Sequence, residues 1–322
     1  MSAPSLLNSL MDRLIVPGAL GFTRFGYEWR RRGWRGDDFP MKGRTVVVTG
    51  ATSGLGLSAA HSLAGLGARV VLVGRNPDKA ERARRDVIAG SGNEDVAVQL
   101  ADLGLMADVR DLAARLLESE PVIHVLINNA AILPAERELT AEGLEQTFAT
   151  DLLSPYLLTE LLLPRLRASA PARVVNVLSG GMYLSGLEVD DLEYVRGSFD
   201  GSRAYARAKR ALMVLTEQWT AELEGSGVVV NAMHPGWADT PGVEGSLPGF
   251  YGLMRPLLRS PAQGADTIVW LAAAPEAAEA SGRFYLDREP HPTTVIPCTG
   301  GSARERGKLR EALEAYAGRS AA

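Results

Sequence analysis

Short valine-rich apolar runs recur along the chain, each closed by glycine or a turn residue and each followed by a stretch of helical periodicity. This alternation constrains the fold more than any other feature, because strands alternating with helices build a parallel sheet covered on both faces. The runs are RTVVVTG (44–50), ARVVLVG (68–74), DVAVQLAD (95–102), HVLINNAA (124–131), ARVVNVLSG (172–180) and GVVVNAMHPG (227–236), with GRFYLDREP (282–290) as a seventh. They are apolar throughout and do not alternate with polar residues, as burial on both faces requires. Helices are predicted over 54–67, 76–90, 106–119, 141–168, 203–224 and 261–274, with a charged terminal helix over 303–317. Pro155 is expected to kink the long helix 141–168. The fold expected is a doubly wound α/β single domain over 42–290, preceded by an extension (1–41) and followed by a tail (291–322).

The chain has 322 residues, 46% of them hydrophobic, enough for one large domain with a substantial core. A formal net charge of -4 gives no global basic field, and no nucleic-acid-reading module surrounds the basic residues near 30–35. Cys298 is the one cysteine, so no internal disulfide can form, and a cytoplasmic, reducing compartment is expected. His61, His124, His234 and His291 lie far apart and show no metal-ligand spacing, so structural or solvent-facing roles are expected for them and no metal site.

The start of the chain does not resemble a secretory signal: Asp12 and Arg13 interrupt its apolar stretch and Pro17 breaks it. The run 14–22 is far short of the ~20 residues that span a bilayer. Leu6, Leu7, Leu10, Leu14 and Ile15 recur at helical spacing, and Arg30, Arg31, Arg32 and Arg35 follow with Trp29 and Trp34 between them. Two readings stay open. Residues 4–35 form a peripheral membrane anchor, or an amphipathic helix packs on the protein's own surface ahead of a solvated basic linker.

At the first strand-to-helix turn stands VVVTGATSGLGLSAA. Gly50 permits the tight turn, Gly54 lets backbone amides approach a pyrophosphate, and Gly56 lets the helix pack closely on the strand. The helix N-terminus then offers free amides and its positive dipole end to phosphates. A triphosphatase-type loop needs lysine after its last glycine, where Leu57 stands. The second strand ends in Gly74 and Arg75. An acid there would take the ribose hydroxyls of NAD; arginine pairs with a 2′-phosphate and favours NADP(H) over NAD(H).

Tyr205 and Lys209 in YARAK are i and i+4, hence neighbours on one helical face. An ammonium beside a phenol stabilises the phenolate and draws the phenol pKa of ~10 toward neutrality. That is the requirement of a group that gives a proton to a developing alkoxide.

TGATSGLG, NNAA (128–131) and YARAK, in this order and spacing, resemble the short-chain dehydrogenase/reductase family over roughly residues 42–290. VLSGGMY, MHPGWADTPGV, QGADTIVWLA and SGRFYLDREP resemble more narrowly its member-12 branch, whose substrates are poorly defined. The resemblance implies a Rossmann fold and an oxidoreductase. It makes Tyr205 the general acid/base, Lys209 its partner and the holder of the nicotinamide ribose, and Ser179 the hydrogen bond to the substrate oxygen. Leu178 fills the place of a first serine often found there. Asp151 stands where the family carries the asparagine that orders a water relay, which puts that relay in question.

The resemblance further implies cofactor contacts from Thr52, Ser53 and Leu55 between the glycines. Asp102 and Leu103 would lie at the adenine, the backbone of Asn129 and Ala130 beside the ribose, and Pro235, Gly236 and Thr240 on the nicotinamide side. A homodimer or tetramer through 141–168 and 203–224 is implied as well. The insertion YLSGLEVDDLEYVRGSFDG is expected at the substrate rim, and the apolar, Gly/Pro-rich loop 240–262 as a mobile cover over a hydrophobic carbonyl or alcohol. The alternative to an enzyme is an NADP(H)-binding regulatory protein with weak catalysis. An extended epimerase or dehydratase is disfavoured by the glycine spacing and the lack of a large C-terminal substrate domain.

Overall fold

The computed structural model of the chain describes residues 19–34, 39–246 and 248–318. An eight-stranded sheet runs through it in the order β3-β2-β1-β4-β5-β6-β7-β8. The strands are β1 (Thr45–Thr49), β2 (Arg69–Gly74), β3 (Val96–Leu100), β4 (Val125–Asn128), β5 (Ala172–Val177), β6 (Val228–Met233), β7 (Phe284–Leu286) and β8 (Glu289–His291). All neighbours are parallel except β7 and β8.

The continuous apolar character of the strands has a direct cause. Val47 and Val71 face one buried layer, where Leu126 and Val174 join them; Val46, Val48, Val70 and Leu72 face the other. The first layer is closed by α4 (Met106–Ser119), α5 (Ser154–Ala168) and α6 (Gly201–Glu222). Helices α2 (Gly54–Gly65), α3 (Pro77–Ser91) and α7 (Pro261–Ala273) close the second. Chain order reverses between β1 and β4, so a crevice opens at their carboxyl ends.

The segment 282–290 is a hairpin and not one strand. Leu286 pairs with Glu289 across a two-residue turn in which Asp287 and Arg288 both take positive φ, 52° and 63°. That is the turn geometry that matches strand twist, usually supplied by Asn-Gly or Asp-Gly.

The expected helix 141–168 is broken. Gly143 turns the chain at φ 78°, a short helical turn Gln146–Phe148 follows, and a π turn spans Ala149–Leu153 before α5 begins. Pro155 lacks the N–H that would bond the carbonyl of residue 151, and the wider turn forms just ahead of it. The loop 240–262 contains two short helices, Pro241–Ser246 and Pro248–Met254, and a 3-10 turn Arg255–Leu257.

At the amino end α1 (Arg24–Arg31) packs on the domain with Tyr27 buried. Arg30 does not belong to a solvated linker: it pairs with Asp287 at 2.7 Å. Phe25 and Trp29 face solvent. The stripe from Leu6 to Ile15, and Arg35, lie outside the described residues. Among the described residues no helix is long and apolar enough to cross a membrane.

The terminal helix α8 (Ala303–Gly318) lies against α5 and α6. Leu309 and Leu313 are fully buried. Arg310 reaches Glu160 of α5 at 3.0 Å and Glu222 of α6 at 3.1 Å, and Tyr316 meets Phe148 edge-on.

Candidate active site

The glycine turn is built by close approach. Gly50 has φ +64°, and a Cβ on it would lie 2.8 Å from the Cα of Ala130. On Gly56 a Cβ would lie 2.5 Å from both the carbonyl of Gly50 and Nδ2 of Asn129. Asn129 Nδ2 donates to the carbonyl of Thr49 at 2.8 Å, while Thr49 Oγ1 accepts from the backbone N–H of Asn129 and Ala130. The carboxyl ends of β1 and β4 are thereby laced together at the switch point. Asn129 works here through its side chain as well as the backbone the sequence pointed to.

Ser53 precedes α2 without a side-chain cap, so the first amides of that helix are left for a ligand. Gly54, at φ +56°, faces Thr240: a Cβ would lie 3.4 Å from the threonine side chain. Gly50 and Gly56 without room for a Cβ, Gly54 at positive φ, an uncapped helix N-terminus and Thr52, Ser53 and Leu55 in the turn fit a dinucleotide pyrophosphate.

Gly74 cannot carry an acid without displacing Thr52, whose Cγ2 would lie 2.5 Å from a Cβ there. Arg75 is 75% exposed, with Nη1 3.9 Å from Asp102 Oδ2. Asp102 Oδ1 accepts from the N–H of Gly104 at 2.9 Å, which fixes the turn after β3. The Leu103 side chain is buried in the core.

Tyr205 and Lys209 lie one turn apart on α6, with Lys209 Nζ 5.2 Å from the centre of the phenol ring. Asp200 caps that helix by accepting from the N–H of Arg203. Ser179, at the end of β5, lies near enough to the Tyr205 phenol to draw its pKa down, and it accepts from the N–H of Gly181 at 3.2 Å. Leu178 points into the core.

Asp151, carried inward by the π turn, is fully buried. Its Oδ1 accepts from the N–H of Ile132 at 2.8 Å, and its Oδ2 lies 3.5 Å from Lys209 Nζ. Burial pushes the Asp151 carboxyl up to about 6, against the pull of Lys209 and Ile132. The Tyr205 phenol moves opposite to the sequence expectation. Burial and then the Asp151 charge push it well above its ordinary value, and only the Ser179 hydrogen bond pulls it down. The chief physical reason is burial, which disfavours the phenolate, and the Asp151 carboxylate facing Lys209 adds to it.

Gly236, at φ +73°, leaves no room for a Cβ against the Arg259 guanidinium, and the carbonyl of Pro235 accepts from Arg259 Nη1 at 3.2 Å. Arg259 carried no signal in the sequence, because its partners stand at residues 21–23 and 287. The insertion after Ser179 is fastened to α8 through Asp190 with Lys308 and Glu193 with Tyr316. His124 accepts from the N–H of Thr45, a structural role. No group of three potential metal ligands occurs among the described residues.

A glycine cradle at the switch point, with Ser179, Tyr205 and Lys209 gathered at the carboxyl edge of β5, defines the class: an α/β protein of the dinucleotide-binding oxidoreductase type. The short chain dehydrogenase family model matches residues 44–248, and the chain belongs to the short-chain dehydrogenase/reductase family. It is 42% identical over 306 residues, covering 94% of this chain and 96% of the relative, to dehydrogenase/reductase SDR family member 12 of Bos taurus. Retinol dehydrogenase 13 of Homo sapiens is 35% identical over 257 residues, 76% of each chain. The structure of a 3-oxoacyl (acyl-carrier-protein) reductase from Agrobacterium tumefaciens C58 with NADP bound is 25% identical, with a TM-score of 0.63 over 76% of this chain and 93% of that one.

Proposed function

We propose that the protein is an NADP(H)-dependent oxidoreductase that interconverts a carbonyl and an alcohol on a small hydrophobic substrate. The observation that carries this reading is Tyr205, beside Ser179 and one helical turn from Lys209. The cofactor choice rests on Arg75 together with Gly74, where Thr52 occupies the space an NAD-type acid would need; the NADP-bound relative agrees with it. A hydrophobic substrate is favoured by the apolar side chains of the 241–257 cover and by the relative named as a retinol dehydrogenase.

Gly50, Gly54 and Gly56 would hold the pyrophosphate against the amides of α2, with Arg75 and Asp102 at the adenosine end and Thr240 above Gly54. The backbone of Asn129, Ala130 and Leu103 lines the adenosine side, and Pro235 and Gly236 the nicotinamide side. Bound there, the nicotinamide supplies or accepts the hydride. Ser179 Oγ and the Tyr205 hydroxyl hold the substrate oxygen, and Tyr205 gives it a proton as the alkoxide develops. A phenol kept protonated in its resting state is suited to donate, which favours reduction. Asp151 holds Lys209 in place, and its Oδ2 has no hydrogen bond of its own, which leaves an acceptor for a water of the proton relay.

The same carboxylate supports a second reading, a catalytically weak NADP(H)-binding regulatory protein, because it offsets the cation beside Tyr205. Replacing Tyr205 by Phe separates the two. The enzyme reading expects NADPH-dependent reduction of apolar aldehydes to fall by about 10²–10⁴-fold with NADPH affinity unchanged. Turnover surviving Tyr205→Phe would exclude this role for the tyrosine. Peripheral attachment to a membrane through residues 4–35 is part of the proposal, supported by exposed Phe25 and Trp29 beside Arg24, Arg31 and Arg32.

A further inference from the structure

Residues 21–31 lie outside the region matched by the family model, yet they pack against the segment that follows β6. The Phe22 ring meets His234 edge-on at 4.8 Å and Trp237 at 5.8 Å, and Trp237 meets Phe250 of the short helix Pro248–Met254 at 5.2 Å. His234 Nε2 would lie 3.0 Å from a Cβ on Gly180, the residue after Ser179. The row of rings thus begins beside the residue that would hold the substrate oxygen and ends on the short helix Pro248–Met254. Burial drives His234 down to about 3, so its ring is neutral and offers an uncharged surface.

The row is held from behind. The N–H of Trp237 donates to the carbonyl of Phe22 at 2.8 Å, and the N–H of Arg259 to the carbonyl of Trp237 at 2.7 Å. Buried Arg259 donates to Asp287 at 2.6 and 2.8 Å and to the carbonyls of Gly21 and Phe22 at 3.0 Å. Arg30 pairs with the same Asp287 at 2.7 Å and donates to Gly21. Asp287 and Arg288 hold positive φ, a conformation that persists in non-glycine residues only where surroundings over-determine it. Here Arg288 is fixed by two 2.7 Å bonds to Asp266.

We propose that Trp237 is a specificity-determining residue and Phe22 its positioning residue, the two selecting a substrate whose body beyond the carbonyl is bulky and apolar. Trp237 is partly exposed, with Phe22 on one side and Phe250 on the other. A ring flanked in this way presents a fixed apolar face, which a long or cyclic carbonyl covers and a two-carbon one does not. The inference rests on the oxidoreductase reading above.

The test compares octanal with acetaldehyde as NADPH-dependent substrates, and measures 1-octanol binding to the protein without cofactor by calorimetry. Trp237→Ala and Phe22→Ala are expected to raise the KM for octanal and the Kd for 1-octanol about tenfold. The KM for acetaldehyde, kcat and NADPH affinity stay unchanged. Phe22→Leu restores most of the loss, and Phe25→Ala, on the outward face of α1, changes nothing. Equal shifts for both aldehydes, or 1-octanol binding within about twofold of wild type, overturn the proposal. If Phe22→Ala fails to fold, Trp237→Ala, with its ring partly in solvent, decides. Absence of NADPH-dependent turnover in the wild type would defeat the oxidoreductase reading, while the 1-octanol titration still judges the wall.

Discussion

Lys209 Nζ lies 3.5 Å from Asp151 Oδ2 with both side chains sealed from solvent. Burial together with that pair sets the unusual electrostatics of this site. An asparagine at residue 151 would leave the lysine charge to act on Tyr205 alone. The aspartate directs that charge away from the phenol and adds a negative one that disfavours phenolate.

Replacing Asp151 by Asn removes the charge that helps raise the Tyr205 phenol. The phenolate, the base needed for alcohol oxidation, then forms at lower pH. The rising limb of the pH–kcat profile for oxidation is expected to move to lower pH in Asp151→Asn. A limb that stays in place would show that Asp151 does not act on Tyr205.

The same substitution has a signature in stability. The Asp151 carboxyl is raised from 3.8 to about 6, so the folded protein favours its protonated form. Its contribution is fully present below the unfolded value and is lost as pH rises through the folded one. Wild type should lose on the order of a few kcal/mol relative to Asp151→Asn between pH 4 and 7. Urea unfolding of both proteins across that window reads the difference; parallel curves would contradict the assignment.

Assembly is the third test. The resemblance implied a dimer or tetramer through the helices now seen as α5 and α6, but α8 packs there, with Arg310 bridging Glu160 and Glu222. The chain is expected to sediment as a monomer, and as a dimer or larger only when residues 303–322 are removed. A full-length dimer retaining an ordered α8 would show that assembly uses another face.

Much of this was legible in the chain. Strands β1, β2, β4, β5 and β6 were readable because burial on both faces demands continuous Val-rich runs, and the glycines because the turn needs positive φ at Gly50 and Gly54 and close approach at Gly50 and Gly56. The hairpin at Asp287 and Arg288 was not readable, since Arg288 stands where this turn ordinarily has glycine and tertiary pairing with Asp266 and Arg259 holds the two residues in place. The break in 141–168 was half readable: Pro155 gave the disturbance but not the π turn that carries Asp151 inward. Partners of Tyr27, Arg30 and Arg259 lie more than two hundred residues away in several cases, so periodicity could not show that residues 21–31 pack against the segment after β6. The direction of the phenol shift was not readable, because the i, i+4 spacing shows Lys209 beside Tyr205 but neither the burial of the phenol nor Asp151 beside both.

The most direct measurement is a titration with NADPH and then NADH, followed by nicotinamide fluorescence, on wild type, Arg75→Ala and Gly56→Ala. The account predicts NADPH binding at least about tenfold tighter than NADH, a preference erased in Arg75→Ala, and no binding of either by Gly56→Ala. Equal or tighter binding of NADH would contradict the role given to Arg75, and binding of neither by wild type would contradict the account as a whole.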